Sequence, residues 1–230
     1  MQSTGNRLLD SLSVPLAAEL TAASRMVDLP LRANLGTAGQ IPTYSYFLTN
    51  GAASIVVVMA KGGSSEVGML GNEGLIGASA ILGSSALHAD TFMQVGGKGL
   101  CTPMKVLCSM FDGSSELRQR TLQYLQCQIN TTGQISACNR LHEAEERLAR
   151  WLLTAADLTQ SEALGLTQEF LAQMLGSQRT TVALVAGLLQ RSGLIQYSRG
   201  KVRILNREGL ESAACDCYRV THGAVSKLYT

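Results

Sequence analysis

The side chains best suited to chemistry lie in one basic stretch near the C-terminus. Between Gln178 and Arg207 the sequence contains six basic residues and no acidic one. Guanidinium and ammonium groups bind phosphate oxygens, and the planar fork of arginine also fits O6 and N7 of guanine. The stretch is therefore predicted to contact a polyanion, with a merely solvated basic face as the alternative. Its basic residues are Arg179, Arg191, Arg199, Lys201, Arg203 and Arg207.

Two short helices are predicted to position the first of these cations. The first helix is capped by Thr167 and ends at Leu175, and Gly176 follows it as the left-handed residue that commonly terminates a helix. The second helix begins near Arg179. Its apolar positions follow the spacing of a buried helical stripe: Val182, Val185, Ala186 and Leu189. Helices joined by so tight a turn predict a helix-turn-helix.

A hairpin is predicted directly after Gly193. Leu194–Tyr197 and Val202–Leu205 flank the turn at residues 198–201. A helix-turn-helix closed by a hairpin is a winged helix, whose second helix meets base edges in DNA and whose hairpin meets phosphate. The predicted DNA contacts are Thr167, Gln168, Ser177, Gln178, Arg179, Thr180, Thr181, Leu184, Arg199 and Lys201.

The charge of the chain is divided unevenly. Residues 1–159 carry 11 basic and 12 acidic residues, a net charge of −1, whereas residues 160–230 carry 8 and 5, a net charge of +3. The basic excess therefore coincides with the predicted winged helix, which favours double-stranded DNA as the partner of that half.

The cysteines lack the spacing of common metal sites. Cys101, Cys108, Cys127 and Cys138 are scattered, and no C-x-x-C pair occurs. Cys215 and Cys217 are two residues apart on a predicted helix, where their side chains would point to different sides and would not bind one ion. The sequence therefore predicts free thiols and no metal site, with a redox role as the weaker alternative.

The N-terminal half is predicted to be a roll of short strands. Between Met26 and Pro103 glycine is frequent, and apolar runs alternate with turns, including Gly62-Gly63 and Gly96-Gly97. This pattern indicates an antiparallel β-roll or sandwich rather than a parallel α/β fold. The predicted strands are Tyr44–Leu48, Ser54–Met59, Glu66–Leu70 and Thr91–Val95.

A long helix is predicted after Ser114. Leu122, Leu125 and Ile129 are spaced by three and four residues, which is typical of the seam between two paired helices. The alternative is that these residues pack on the roll of their own chain. A further helix over residues 137–153 is predicted to form the floor of the winged helix, and His142 within it is interpreted as an ordinary surface or core residue.

The order of roll, pairing helix and winged helix resembles the Crp/Fnr family of bacterial transcription regulators. The similarity extends over nearly the whole chain. It is carried by SEVGMLGNEGLIG at 65–77, ACNRLHEAEERLARWLL at 137–153, LTQEFLAQMLG at 166–176 and LLQRSGLI at 188–195. The expected fold class is α+β, with a cyclic-nucleotide-binding-like jelly roll over 1–113, a dimerisation helix over 114–137 and a winged-helix domain over 138–230.

The resemblance implies a homodimer that places two recognition helices in successive major grooves of a near-palindromic operator and that contacts RNA polymerase. It assigns guanine reading to Arg179 and phosphate contacts to Thr167 and Gln168. Thr180 and Leu184 occupy the other base-reading positions, where family members usually carry an acidic residue and often an arginine. The operator is therefore expected to differ from the usual family site.

The resemblance also implies that cyclic AMP is not the effector. Family members that bind it carry Gly-Glu for the ribose and an arginine for the cyclic phosphate. Here these regions read Gly77-Ala78 and Ala86-Leu87-His88-Ala89-Asp90, so the glutamate and guanidinium are missing and Asp90 adds a like charge. The expected effector is an unidentified small ligand in the β-roll, or none. No cofactor is assigned, and His88 remains a weak candidate for a haem ligand.

Other functional classes are less well supported. No nucleophile–base pair, metal set or paired carboxylates indicate an enzyme. The main alternative is a ligand- or redox-sensing module, based on haem or cysteine, that acts through protein contacts. Met1–Leu20 lacks a signal peptide, and the most apolar run, Ile55–Ala60, is too short to span a bilayer. A soluble, cytoplasmic protein is therefore expected.

Overall fold

The structure is a computed structural model that describes residues 3–60, 62–83 and 86–229. Residues 1, 2 and 230, at the outer bounds of the predicted domains, lie outside the described residues. The chain forms two compact units. The first comprises residues 1–55, 69–130 and 225–230, and the second comprises residues 56–68 and 131–224.

The N-terminal part of the chain contains a five-stranded β-sheet. The strand order is β1-β5-β3-β4, with β2 also paired to β5, and both β1 and β2 run antiparallel to β5. This confirms the expected N-terminal β-roll. The elements through this region are α1 (Arg7–Asp10), α2 (Val14–Ala22), β1 (Arg25–Leu29), β2 (Asn34–Gly36), β3 (Tyr44–Val58), β4 (Ser64–Leu70), a 3₁₀ helix (Ala78–Leu82), β5 (Asp90–Pro103), α3 (Met104–Gly113) and α4 (Ser115–Leu141).

The strands of this sheet are longer than predicted because glycine continues them. The segments 44–48 and 54–59 were predicted as separate strands. Residues 44–58 instead form one strand, β3, which passes through Gly51 at φ +82° and ends one residue before Met59. The predicted turn at Gly96-Gly97 is wrong, since both residues lie inside β5. A Cβ atom on Gly97 would stand 2.3 Å from the carbonyl oxygen of Asn50. The glycine therefore allows a close backbone approach instead of a turn.

Helix α4 has one buried and one exposed apolar face. Leu125 is 6% exposed and belongs to the core of the first unit, whereas Leu122 is 44% and Ile129 is 67% exposed. At about 100° per residue, positions 122 and 129 share a face, and position 125 lies about 60° to one side. Of the three predicted seam residues, the alternative of packing on the chain's own roll therefore holds for Leu125.

The predicted helix over residues 137–153 is interrupted. Helix α4 ends at Leu141, which is 75% exposed, and α5 begins at Ala144. A capping box explains the break: the side chain of Glu143 accepts from the third helical backbone N–H, and that of Glu146 accepts from the Glu143 backbone N–H at 3.0 Å. The single-helix prediction is therefore wrong at residues 142 and 143.

The second unit places a helical layer against a small sheet. Helix α5 packs on α6, α7 and α8, which confirms its predicted role as the floor. The buried indole of Trp151 donates to Glu66 Oε1 at 2.9 Å. Strands β6, β8 and β7 form the sheet in that order, with antiparallel pairing throughout. The elements are α5 (Ala144–Thr159), β6 (Ala163–Gly165), α6 (Gln168–Leu175), α7 (Arg179–Arg191), β7 (Ile195–Ser198), β8 (Lys201–Ile204), α8 (Arg207–Ala213) and α9 (Cys217–Ser226).

Among the described residues, no helix combines the length and the apolar character needed to cross a bilayer.

Candidate nucleic-acid interface

The N-terminus of α6 forms the first part of the interface. Thr167 is the N-cap residue, and its Oγ1 accepts from the Phe170 backbone N–H at 3.1 Å, as its sequence position predicts. Thr167 is exposed and Gln168 is half-buried. Backbone N–H groups at a helix N-terminus favour anions, so both residues stand where a phosphate group would be stabilised.

The second part is the exposed face of α7. Gly176 ends α6 at φ +57°, and α7 starts at Arg179, as predicted. Gln178, Arg179 and Thr180 are exposed at the start of the helix, and Thr181 is half-buried. Leu184, one turn further, is 62% exposed. The opposite face is buried through the predicted stripe of Val182, Val185, Ala186 and Leu189.

The third part is the hairpin of β7 and β8. Arg199 and Gly200 form its tip with φ values of +49° and +73°, so two consecutive residues are left-handed, as in a type I′ turn. Arg199 and Lys201 are exposed. The hairpin was predicted. Strand β6, the third strand of the same sheet, was not predicted, because three residues carry too little periodicity to indicate a strand.

These three parts converge on one cleft of about 420 Å³. Tyr197 fixes the hairpin beside the helices: its hydroxyl donates to the Leu166 carbonyl at 3.1 Å, and its backbone N–H donates to Gln190 Oε1 at 2.7 Å. The Leu166 N–H in turn donates to the Gly200 carbonyl at 2.8 Å. The cleft is lined by Thr167, Gln168, Arg179, Tyr197, Ser198, Arg199 and Gly200.

The cleft is electropositive. Its lining contains two arginines and no carboxylate. Burial raises the pKa of Tyr197, and the positive charge of Arg179 opposes that rise. A neutral tyrosine anchor beside two permanent cations is an arrangement suited to an anionic ligand such as a phosphodiester.

One cation of the basic stretch does not serve the interface. The guanidinium of Arg207 contacts Asp157, reaches Glu162 Oε1 at 3.1 Å and reaches Glu211 Oε1 at 3.0 Å. Burial alone would lower the pKa of Arg207, but the hydrogen bond and charge of Asp157 raise it above the ordinary value. Arg207 therefore connects α5 to α8, and its charge is paired with carboxylates instead of being available to DNA.

Ser177 also has a structural contact. Its Oγ accepts from Arg147 Nη2 at 2.9 Å, and Arg147 Nη1 donates to the Leu175 carbonyl at 3.3 Å. Ser177 and Gln178 border a separate groove formed with residues of the β3–β4 hairpin. The structure thus brings Thr167, Gln168, Arg179 and Arg199 into the cleft, and leaves Ser177, Gln178, Thr180, Thr181, Leu184 and Lys201 outside its lining.

The region expected to bind an effector shows no phosphate-binding arginine among residues 77, 78 and 86–90. Ala78 is buried, at 3% exposure, in the 3₁₀ helix. The carboxylate of Asp90 accepts from the Ala38 backbone N–H at 2.8 Å. His88 is exposed. Asp90 therefore links the start of β5 to the segment that follows β2.

A second group of reactive side chains lies apart from the cleft lining. Cys138, His142, Cys215 and Cys217 each offer a ligand atom, and these atoms all lie within 4.8 Å of one another. The prediction that Cys215 and Cys217 diverge is wrong because Cys215 precedes α9 and is not helical. The overlooked signal was the i, i+4 pair of Cys138 and His142, which places both side chains on one side of a helix end.

Two thiols of this group lie within hydrogen-bonding distance of each other. Cys138 Sγ and Cys215 Sγ are 3.4 Å apart. The hydrogen bond with Cys215, assisted by the charge of Arg150, lowers the pKa of Cys138. The same hydrogen bond raises the pKa of Cys215.

Comparisons with known proteins agree with this architecture. Residues 146–213 match the model of the Crp-like helix-turn-helix domain. No curated protein sequence matches the chain. A transcriptional regulator of the Crp/Fnr family from Eubacterium rectale has a similar structure, with a TM-score of 0.73 and 17% identity, over 92% of this chain and 99% of that chain.

Two further solved structures have the same fold. FixK2 from Bradyrhizobium japonicum has a TM-score of 0.69 and 14% identity, over 84% of this chain and 98% of that chain. A CRP-family transcriptional regulator from Thermus thermophilus has a TM-score of 0.68 and 21% identity, over 82% of this chain and 96% of that chain. The resemblance seen in the sequence is thus confirmed: the chain carries a Crp-like helix-turn-helix domain within the fold of the Crp/Fnr transcription regulators.

Proposed function

We propose that this chain is a sequence-specific transcription regulator that binds a near-palindromic DNA operator as a homodimer. The observation that carries the proposal is the cleft in which the N-terminus of α6, Arg179 and the hairpin tip converge. The helix end and the hairpin are suited to hold phosphate, and Arg179 at the start of α7 is suited to read a base edge.

The exposed surface of α7 supports a particular kind of operator. Arg179 can form two hydrogen bonds with guanine, and Leu184 can make an apolar contact with the methyl group of thymine. Thr180 is exposed between them in sequence and has a hydroxyl that can pair with more than one base. The half-site is therefore expected to contain a guanine and a thymine at positions read from one helix face.

The dimer is supported by the exposed face of α4. Leu122 and Ile129 are seven residues apart on that face and line a shallow groove together with polar side chains such as Gln126. Covering them with a second copy of α4 would remove apolar surface from water and would give two recognition helices related by a two-fold axis. A near-palindromic site follows from that symmetry.

The residues of the effector region do not match those that bind cyclic AMP. Ala78 and the residues 86–90 supply neither a carboxylate for a ribose nor a guanidinium for a cyclic phosphate, so cyclic AMP is not expected to bind usefully. We further infer that the protein acts in the cytoplasm and contacts RNA polymerase, because its fold is that of transcription regulators.

Selection from a random duplex library tests the main proposal. The purified full-length protein should enrich a two-fold symmetric sequence, and its affinity for that sequence should fall steeply with salt as phosphate counterions are released. A scrambled duplex of equal length is the control. If no sequence is enriched and binding does not depend on salt, the proposal of sequence-specific DNA binding is wrong.

The alternative is a cysteine-based sensing module that acts through protein contacts. The specific observation in its favour is the short distance of 3.4 Å between Cys138 Sγ and Cys215 Sγ. Under this alternative, oxidation would change a protein partner while DNA selection gave no enrichment. Haem sensing has less support, because the candidate ligand His88 is exposed.

A further inference from the structure

Four potential metal ligands converge where the end of α4 meets the start of α9. Cys138 lies in the last turns of α4, and His142 follows directly after that helix. Cys215 lies in the link between α8 and α9, and Cys217 is the first residue of α9. All three cysteines are buried, and together they form a small cluster of their own. Only the His142 ring is partly open, with 28% of its side chain exposed.

The distances among the ligand atoms suit a tetrahedral ion. Zinc lies about 2.3 Å from sulfur and about 2.0 Å from imidazole nitrogen, so the ligand atoms of a tetrahedral site are about 3.5–3.8 Å apart. Cys138 Sγ and Cys215 Sγ are 3.4 Å apart, and Cys217 Sγ is 3.6 Å from His142 Nδ1. All four ligand atoms lie within 4.8 Å of one another, so a tetrahedral site needs a contraction of at most about 1.3 Å.

The groups around these ligands are those expected of a metal site. His142 directs Nδ1 toward Cys217, and its Nε2 lies 3.6 Å from Asp216 Oδ1. A carboxylate on the far nitrogen of a ligating histidine fixes the ring and strengthens the ligand. Gln134 Nε2 donates to Cys217 Sγ at 3.0 Å, which is a contact that suits a thiolate.

The charge of the surroundings also fits. Three thiolates and one divalent cation would leave a net charge of −1, which is costly inside a protein without a compensating cation. Arg150 is 5% exposed and acts electrostatically on both Cys138 and Cys215. A simple disulfide between Cys138 and Cys215 would leave the positions of Cys217, His142, Asp216 and Gln134 without a common explanation.

We propose that Cys138, His142, Cys215 and Cys217 bind one zinc ion. With three sulfurs and one nitrogen the coordination is closed, which is typical of a structural site rather than a catalytic one. The ion would connect the end of α4 and the link to α5 with the segment that precedes α9. This proposal is independent of the proposed DNA-binding function, because none of the four residues lines the basic cleft.

Cobalt substitution of the reduced, full-length protein tests the site. After removal of metal with a chelator, Co²⁺ should bind one ion per chain and give the visible bands of tetrahedral coordination together with near-ultraviolet bands from thiolate ligation. Added Zn²⁺ should abolish these bands. Zn²⁺ should also raise the midpoint of thermal unfolding of the metal-free protein by at least about 5 °C.

Substitutions assign the ligands. Cys217→Ser and His142→Gln should weaken or alter the cobalt bands, whereas Cys108→Ser, which removes a half-buried thiol on α3, should leave them unchanged. If a variant does not fold, the titration of the unaltered protein still decides. A fully reduced protein without tetrahedral cobalt bands overturns the proposal, and so does an unchanged spectrum in folded Cys217→Ser. A Cys138–Cys215 disulfide that persists under reductant and excludes metal also overturns it.

Discussion

Arg179 and Arg207 are at opposite ends of the same basic stretch and are used differently. Arg179 is exposed and borders a cleft without a carboxylate. Arg207 is held by Asp157, Glu162 and Glu211 between helices of the second unit. In the sequence, each arginine contributes one positive charge. In the structure, only the charge of Arg179 remains available to a ligand, because that of Arg207 is paired with carboxylates. A basic stretch therefore has to be divided by the partners of each cation before it is interpreted as a binding surface.

Helix α4 shows the same division for leucine. Leu125 is 6% exposed and stabilises the first unit, whereas Leu122 is 44% exposed and faces outward. In both pairs, the position that is buried or bound should affect folding, and the position that is exposed should affect association. The following predictions test that contrast, from the largest effect to the smallest.

Leu125→Glu should have the largest effect. Loss of a buried leucine costs about 2–5 kcal/mol, and a buried carboxylate adds a desolvation cost. Urea unfolding followed by circular dichroism should show a loss of at least about 4 kcal/mol in the free energy of unfolding. The matched change Leu122→Glu should leave the fold intact and give a monomer by light scattering. A stable, monomeric Leu125→Glu protein would contradict this assignment of the two faces.

Arg207→Ala should destabilise the second unit without a direct effect on base reading. Hydrogen bonds to charged groups contribute about 1.5–3 kcal/mol, and partial solvent exposure reduces that figure, so a loss of about 2 kcal/mol is expected. Chemical denaturation measures it. The control Arg219→Ala removes an exposed arginine on α9 and should cost at most about 0.5 kcal/mol. Equal stability of the two variants would show that the carboxylate contacts of Arg207 are not energetically important.

Arg179→Ala should reduce discrimination between operator and random DNA. Loss of a two-hydrogen-bond contact with guanine costs about 1–3 kcal/mol per half-site, and random duplex should be nearly unaffected. Fluorescence anisotropy on the selected operator and on a scrambled duplex measures the ratio. A uniform loss on both duplexes would assign Arg179 to the backbone instead.

Lys201→Ala should have the smallest effect and should weaken both duplexes alike. A hairpin cation that holds phosphate contributes about 0.9 to the slope of log affinity against log salt. The slope should therefore decrease by about one, with the ratio of specific to random affinity unchanged. A fall in that ratio would place Lys201 against a base edge.

Local sequence signals were sufficient for α6, α7 and the hairpin of β7 and β8, but not for β6. Thr167, Gly176 and Gly193 each mark an end or a cap within a few residues of the helix concerned, so the bounds of α6 and the start of α7 could be predicted. Strands β1 and β2 were not predicted, because they become strands by pairing with β5, which lies far along the chain. A pairing between segments so far apart leaves no pattern in the residues of β1 and β2 themselves.

The cysteine cluster was missed for the same reason. Cys138 and Cys215 are 77 residues apart in sequence, and their proximity depends on how α4 and the α8–α9 link pack. The spacing of Cys215 and Cys217 was interpreted with helical geometry that applies only from Cys217 onward. A ligand set assembled from two distant segments is visible only after folding.

The hairpin tip shows a compromise between rigidity and recognition. Arg199 adopts φ +49°, a conformation that costs a side-chain-bearing residue about 1 kcal/mol relative to glycine. Asparagine or glycine would relax this turn, yet neither would place a cation there. At this position, the residue that best stabilises the fold is therefore different from the residue that best binds phosphate.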